Sequence, residues 1–381
     1  DRRQRQMCIR DRVWFLHNDM KKVLQLGKFY PIKGGVEKVM YDLMSGLSQR
    51  GVYCDMLCAV RDKSLKNKYA NLICCYAWTQ ISATMISPAM ILKLKRISSR
   101  YDVIHIHHPN PMACFSLFFS RYKGKVVLHW HSDILKQKFL LLFYQPFQKW
   151  LLKRADIVVG TSPVYLKESP FLKDVQHKTF CLPIGVVPMS SSKEAAEGIR
   201  QTYSGKKIIF SLGRLIEYKG FTYLIDAARF LPSDYVILIG GKGPLYESLK
   251  NQIESQNLTE KVKLLGFVSD EELPAYYAAC DVFCMSSIQK TEAFGIVQIE
   301  AMSCGKPVVA TKIPHSGVAW VNEDLVSGVN VEPENAEALA QGILFVTENA
   351  DRYYKFCKGA KERYERFFTY EKMIDESMKL Y

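Results

Sequence analysis

Short apolar runs alternate with longer stretches of helical period along most of the chain. KVLQLG, starting at Lys22, reads as a buried strand that ends in a glycine loop. Val36, Val39, Met40, Leu43 and Leu47 then fall on one face of a helix ending near Arg50, and Gly51 closes it. Further strands are expected at Tyr53–Cys58, Leu72–Tyr76, Val103–His107, Val126–Trp130 and Ile157–Gly160, with helices between them. The alternation breaks between Pro183 and Gly205, a stretch rich in Pro, Ser and Gly. It resumes with strands at Lys207–Leu212, Val236–Ile239, Val262–Leu265, Val282–Met285 and Val308–Ala310. Strands separated by helices predict an α/β protein with parallel sheets. Two such units in series place their glycine-rich loops at the carboxyl ends of strands, where doubly wound sheets bind ligands.

This pattern divides the chain into a first domain at 20–185, a linker at 186–205, a second domain at 206–350 and C-terminal helices at 351–381. Residues 1–19 show no period and no signal-peptide core, and read as an extension foreign to the fold, ahead of a natural start at Met20. The length of 381 residues fits two domains. With 48% hydrophobic and 24% charged residues, the chain can bury a normal core without disulfide or metal staples. Its apolar runs, such as FLLLF at Phe139–Phe143, are far too short for a membrane-spanning helix. The 11 cysteines mostly sit in apolar runs, and the Cys54/Cys58 and Cys280/Cys284 spacings do not match a zinc ribbon. Buried thiols in a reducing compartment, the cytoplasm, are expected.

Charge changes the picture. Residues 20–190 carry 25 Lys and Arg against 9 Asp and Glu, whereas residues 191–381 carry 22 against 26. A basic first half beside a mildly acidic second half points to an anionic partner for the first half. The segment from Lys136 to Arg154 interleaves Lys and Arg with Phe, Leu, Tyr and Trp, as interfacial helices do, and Pro146 is expected to kink or split it.

Five sequence features carry candidate chemistry. In GRLIEYKG (Gly213–Gly220), Arg214 and Lys219 flank a strand-to-helix loop. A planar guanidinium, a point charge and free helix N–H groups together suit a diphosphate. In TEAFGIVQIEAMSCGKPVVAT, Glu292 precedes the helix opening Phe294-Gly295-Ile296 and Glu300 lies inside it. A carboxylate in so apolar a helix is costly unless hydrogen-bonded, and sugar hydroxyls are suitable donors. Gly295 allows backbone N–H groups to approach a phosphate. In VVLHWHSD, His129 and His131 end a strand on the same side, and His105, His107 and His108 end another. A substrate-contacting pair, structural imidazoles and a zinc site that takes a further ligand from the second run are the readings open here. The glycine loops at Gly34-Gly35 and Gly240-Gly241-Lys242-Gly243 match neither a dinucleotide fingerprint nor a P-loop. No Asp-x-Asp is present, so no metal held by paired carboxylates is expected.

From Lys21 to the carboxyl end, these motifs in this order resemble the retaining glycosyltransferases of family 4. The most specific are Glu292 with Glu300, GRLIEYKG, GGKGPLYESL and LLGFVSDEELPAYYAACDVFCMSS. The resemblance implies a GT-B fold, two Rossmann-like doubly wound parallel-sheet domains facing across a cleft. The first domain takes the acceptor, the second takes a nucleotide sugar, and the last helix packs back on the first. It implies that Arg214 and Lys219 hold the donor diphosphate, that Glu292 binds sugar hydroxyls, and that the backbone at Phe294, Gly295 and Ile296 supports sugar and phosphate. Glu300 would take the ribose hydroxyls, and His131 would lie near the anomeric centre. Gly34 and Gly35 would close over the phosphate, and Gly241 and Val268 would belong to the donor pocket. No metal or other cofactor is implied. FYPIKGGVEKVMYDL with HWHSDIL looks most similar to bacterial O-antigen mannosyltransferases. That subgroup implies GDP-mannose as donor, an undecaprenyl-diphosphate-linked sugar as acceptor, an anionic membrane surface at the inner face of the cytoplasmic membrane, and no nucleic acid. A nucleotide-sugar 2-epimerase of the same fold and a non-enzymatic polyanion-binding protein are the competing readings.

Overall fold

The structure, a computed structural model, describes residues 21–32, 34–62, 71–81, 84–134 and 138–381; the expected extension at 1–19 lies outside them. The chain separates into two compact units. One comprises the described residues up to 159 with 174–180 and 374–381, the other 160–173 and 181–373. This division follows contacts and departs from the boundary drawn at 185. Gly160 accepts from the Leu182 amide, Lys290 lies over the Tyr165 ring, and Glu168 pairs with His315, which ties 160–173 to the second unit. In the first unit, Asp375 pairs with Arg50, and the Tyr381 hydroxyl bonds to His105. The expected linker contains a helix at Lys193–Thr202, capped by Ser192.

The first unit contains strands β1 (Lys22–Phe29), β2 (Tyr53–Val60), β3 (Leu72–Tyr76), a hairpin of β4 (Thr79–Ile81) and β5 (Thr84–Ile86), then β6 (Val103–His108), β7 (Lys125–Trp130), β8 (Ile157–Gly160) and β9 (Thr179–Cys181). Its seven-stranded sheet has the order β3-β2-β1-β6-β7-β8-β9. The second unit contains β10 (Lys207–Leu212), β11 (Tyr235–Gly240), β12 (Val262–Gly266), β13 (Val282–Met285), β14 (Val308–Thr311) and β15 (Gly328–Val331), ordered β12-β11-β10-β13-β14-β15, with every pairing parallel. Near-continuous Val, Ile and Leu in these strands reflects burial on both faces, as parallel sheets require. Each order reverses once, between β1 and β6 and between β10 and β13. At such a switch the flanking connections leave in opposite directions and open a crevice at the strands' carboxyl ends. Gly34 and Gly35 follow β1, the histidines end β6 and β7, GRLIEYKG follows β10, and Glu292 follows β13.

The loop after β10 is sewn to the loop after β11. Gly213 donates to Gly240 O (3.0 Å), Leu215 to Lys242 O (3.0 Å) and Leu245 to Leu215 O (3.1 Å). This close approach requires Gly241: its φ is +140°, and a Cβ there would lie 1.8 Å from Gly213 O. The segment around Pro146 forms one helix, Lys138–Arg154, so the proline does not split it. All ten described cysteines are free. Among the described residues no helix is long and apolar enough to cross a membrane.

Gly241→Ala is expected to destabilise the second unit by about 2–5 kcal/mol, combining backbone strain with a backbone clash. Urea unfolding followed by circular dichroism measures it, and an unchanged midpoint would refute the clash.

Candidate active site

The loop after β10 and the loop after β13 meet around one ion pair. Lys219 Nζ donates to Glu292 Oε2, and the side chains are only 12% and 13% exposed. Ser287 Oγ donates to the same carboxylate oxygen at 3.3 Å. The backbones are stitched as well, with Ile288 N to Tyr218 O at 2.8 Å and Ser286 Oγ to Lys219 O at 3.0 Å. Burial alone pushes the Lys219 pKa down, but the Glu292 charge and hydrogen bond outweigh it, and the net shift is upward. Lys219 is therefore a fixed cation at neutral pH. Arg214 is exposed, and its charge is felt at Lys219. The sequence reading placed Lys219 and Glu292 on different parts of one ligand; the structure pairs them directly.

Glu292 leads into a helix at Ile296–Ser303 whose N-terminus no side chain caps. Gly295, at φ +77°, turns the chain into it, and Met285 and Gln298 leave no room for a Cβ. Phe294 is buried and packs edge-on against Phe368, so it contributes backbone rather than ring to the crevice. Glu300, also buried, accepts from the Tyr277 hydroxyl at 2.7 Å. Burial first, then the Glu300 charge, push the Tyr277 hydroxyl well above its ordinary range, so it stays a donor. Tyr277 is the partner that the sequence reading missed, since nothing local marks a tyrosine 23 residues upstream. Val268 is half-buried; a Cβ on Gly240 would lie 3.0 Å from its Cγ2, which places it over the β11 loop.

In the first unit, Gly34 and Gly35 are exposed at the start of the helix Gly35–Gln49. His131 is buried within a group of imidazoles on β6 and β7. The register sets His107 opposite His129, and period two adds His105 and His131 to the same face. His107 Nδ1 bonds to His131 Nε2 (2.8 Å), and His107 Nε2 to Gln25 Oε1 (2.7 Å). Burial pushes the pKa of His105 and of His131 down to about 3, and that of His107 and His129 well below the ordinary range. His108 is also pushed to about 3, with burial the leading cause. Ring nitrogens of His105, His107 and His129 lie within 4.8 Å of one another, so these are the described residues able to approach a common cation. Both His107 nitrogens are already hydrogen-bonded, so such a cation would have to displace a bond.

Comparison with known proteins decides the family. Residues 192–363 match the model "Glycosyl transferases group 1", and residues 33–169 match "Glycosyltransferase Family 4". The chain is 30% identical to the O-antigen chain mannosyltransferase C of Escherichia coli over 369 residues, covering 94% of this chain and 98% of that one. The chain belongs to glycosyltransferase family 4. A D-rhamnosyltransferase of Pseudomonas aeruginosa, WbpZ, is 28% identical over 292 residues, 76% of each chain. In fold, this glycosyltransferase is similar to the Anabaena protein HepE solved with UDP (TM-score 0.78, 23% identity, covering 94% and 98%). It is also similar to a sucrose-phosphate synthase of Thermosynechococcus elongatus (TM-score 0.80, 21% identity, 95% and 98%). The two Rossmann-like units are thus those of the GT-B class, as the motifs led us to expect.

The buried histidines make the glycosyltransferase acid-sensitive. Each is neutral when folded and takes a proton when unfolded below about pH 6.5. Their contribution is complete above that pH and is lost as the pH falls toward their folded values. Urea midpoints should therefore drop between pH 7 and pH 5. His129→Leu should reduce the slope by about one proton, roughly 1.4 kcal/mol per pH unit. A slope unchanged by His129→Leu would contradict the depressed His129 pKa.

Proposed function

We propose that this glycosyltransferase transfers mannose from GDP-mannose, with retention and without a metal, to a sugar carried on undecaprenyl diphosphate, in O-antigen-type surface polysaccharide assembly. The observation that carries the reading is the Lys219–Glu292 pair with Arg214 beside it and an uncapped helix N-terminus next in the chain. As the glycosidic bond to the donor breaks, negative charge develops on the leaving diphosphate. Lys219, Arg214 and the N–H groups at Ile296 are preorganised to stabilise it, a kind of contribution that is often the largest in such sites. Glu292 and Glu300 accept hydrogen bonds from sugar and ribose hydroxyls. Attack comes from the face the diphosphate leaves. The acceptor oxygen bonds to the anomeric carbon, and its proton passes to an oxygen of the departing phosphate.

Two named relatives support the finer claims. The E. coli relative is called an O-antigen mannosyltransferase, and a Campylobacter jejuni relative, 27% identical over 301 residues, is named for a diphospho-undecaprenol acceptor. The family assignment favours transfer over both the epimerase and the polyanion-binding readings. The first unit supports a peripheral seat on the inner face of the cytoplasmic membrane. Phe118 and Phe119 are exposed on the helix Pro111–Ser120, and Phe118 packs edge-on against Trp150 of Lys138–Arg154. Exposed Arg121, Lys123, Lys149 and Lys153 belong to the same helices and the turn between β7 and the first of them. Each cation near an anionic surface contributes about 1 kcal/mol.

GDP release from GDP-mannose should depend on a lipid-diphosphate sugar, and Lys219→Ala or Glu292→Ala should lower turnover by about 100-fold or more. Activity with UDP-sugars alone would replace the donor assignment, and near-normal rates in both variants would reject the site. Separately, the protein should co-sediment with phosphatidylglycerol vesicles and not with phosphatidylcholine. Phe118→Ser with Phe119→Ser should release it; equal retention on both lipids would argue against membrane docking.

A further inference from the structure

The imidazole group contains a hydrogen-bonded chain whose direction is fixed by its end members. His107 Nε2 lies 2.7 Å from Gln25 Oε1, which only accepts, so Nε2 carries the His107 proton. Burial keeps His107 neutral and so leaves it one ring proton. Its Nδ1 is then a bare lone pair, and the partner at 2.8 Å, His131 Nε2, must donate to it. The two rings are 14° from coplanar with centroids 5.2 Å apart, the arrangement of imidazoles bonded edge to edge with N–H aimed along the lone pair. The other end of the chain agrees. Gln25 Nε2 donates to the Tyr381 hydroxyl at 3.3 Å, and that hydroxyl lies 2.7 Å from His105 Nδ1. With Nε2 occupied by the proton, His131 keeps the lone pair of Nδ1.

We infer that Gln25 and His107 are positioning residues that hold His131 as the Nε2–H tautomer, so that Nδ1 accepts a hydrogen bond from a sugar hydroxyl. The tautomer follows from the chain alone; its use on a hydroxyl rests on the transfer reading above. A ring held this way repels a phosphate oxygen, which needs a donor, and selects an O–H group. A metal shared by His105, His107 and His129 is a weaker reading, because both nitrogens of His107 are already engaged.

The test uses full-length protein labelled with [15N]histidine, with His131 assigned by its loss in His131→Asn. Long-range 1H–15N correlation should show a pyrrole-type Nε2 and a pyridine-type Nδ1 for His131. In Gln25→Leu and His107→Phe these signals should move toward a tautomer average, and Tyr381→Phe should shift them less. Turnover in Gln25→Leu should fall roughly 10- to 100-fold, the scale of a misplaced site group, while the nucleotide Kd stays unchanged. An Nδ1–H tautomer in the wild type overturns the inference, as does normal turnover in a variant whose tautomer has changed. Tyr381→Phe keeps the question open to decision should Gln25→Leu fail to fold. Should the wild type show the expected tautomer yet turn over no nucleotide sugar, the transfer reading falls and the hydrogen-bonded chain stands.

Discussion

A charged pair taken out of water on the rim of a parallel sheet is expensive. The attraction between Lys219 and Glu292 competes with the loss of hydration of both groups, and such pairs often add little to stability. Its presence between two loops from different strands is therefore not explained by stability. The loops are costly to hold as well. Gly241 must take a conformation closed to other residues, and Gly295 must turn the chain at the helix entrance. These arrangements converge on one result: a cation and a carboxylate fixed in position before any ligand arrives. In the transfer proposed above, a leaving diphosphate would meet charges already oriented, with little reorganisation left for the reacting step.

Much of this was legible in the residues. Most sheet strands announced themselves as apolar runs of four or more, and their alternation with helices predicted two parallel sheets. The exceptions have physical causes. Thr179–Cys181 is a three-residue edge strand and Gly328–Val331 a four-residue one with Gly and Asn, too short to establish a period. Pro146 lies inside an unbroken helix because tertiary packing overrides propensity there: Phe147 beside it stacks edge-on on Phe115 and Phe118. The contact boundary at Val159 was invisible, since no composition change marks a strand shared between units.

The site was legible as parts and not as an assembly. Arg214, Lys219, Glu292 and Glu300 each stood out from local context. The direct pairing across 73 residues depends on β10 and β13 being neighbours, a fact of topology. Tyr277 against Glu300 is the same kind of omission. The histidines were visible at period two, but only the β6–β7 register shows that His107 sits opposite His129, and only tertiary packing brings Gln25 and Tyr381 to them.

The two carboxyl edges solve opposite electrostatic problems. The second sheet carries a fixed, nearly buried ion pair at its carboxyl edge, Lys219 with Glu292. The first belongs to the strongly basic half of the chain, yet its strand ends carry buried imidazoles that burial keeps neutral. Neutral rings cannot offset a diphosphate, but they can order hydroxyls without creating a competing anion site. The basic charge of that half lies in part on exposed side chains such as Arg121, Lys123, Lys149 and Lys153, where water screens it. Exposed charges lose their reach within about 8–10 Å of salt water, so in the proposed reading charge acting on the bond and charge facing a membrane can occupy one chain without either field distorting the other.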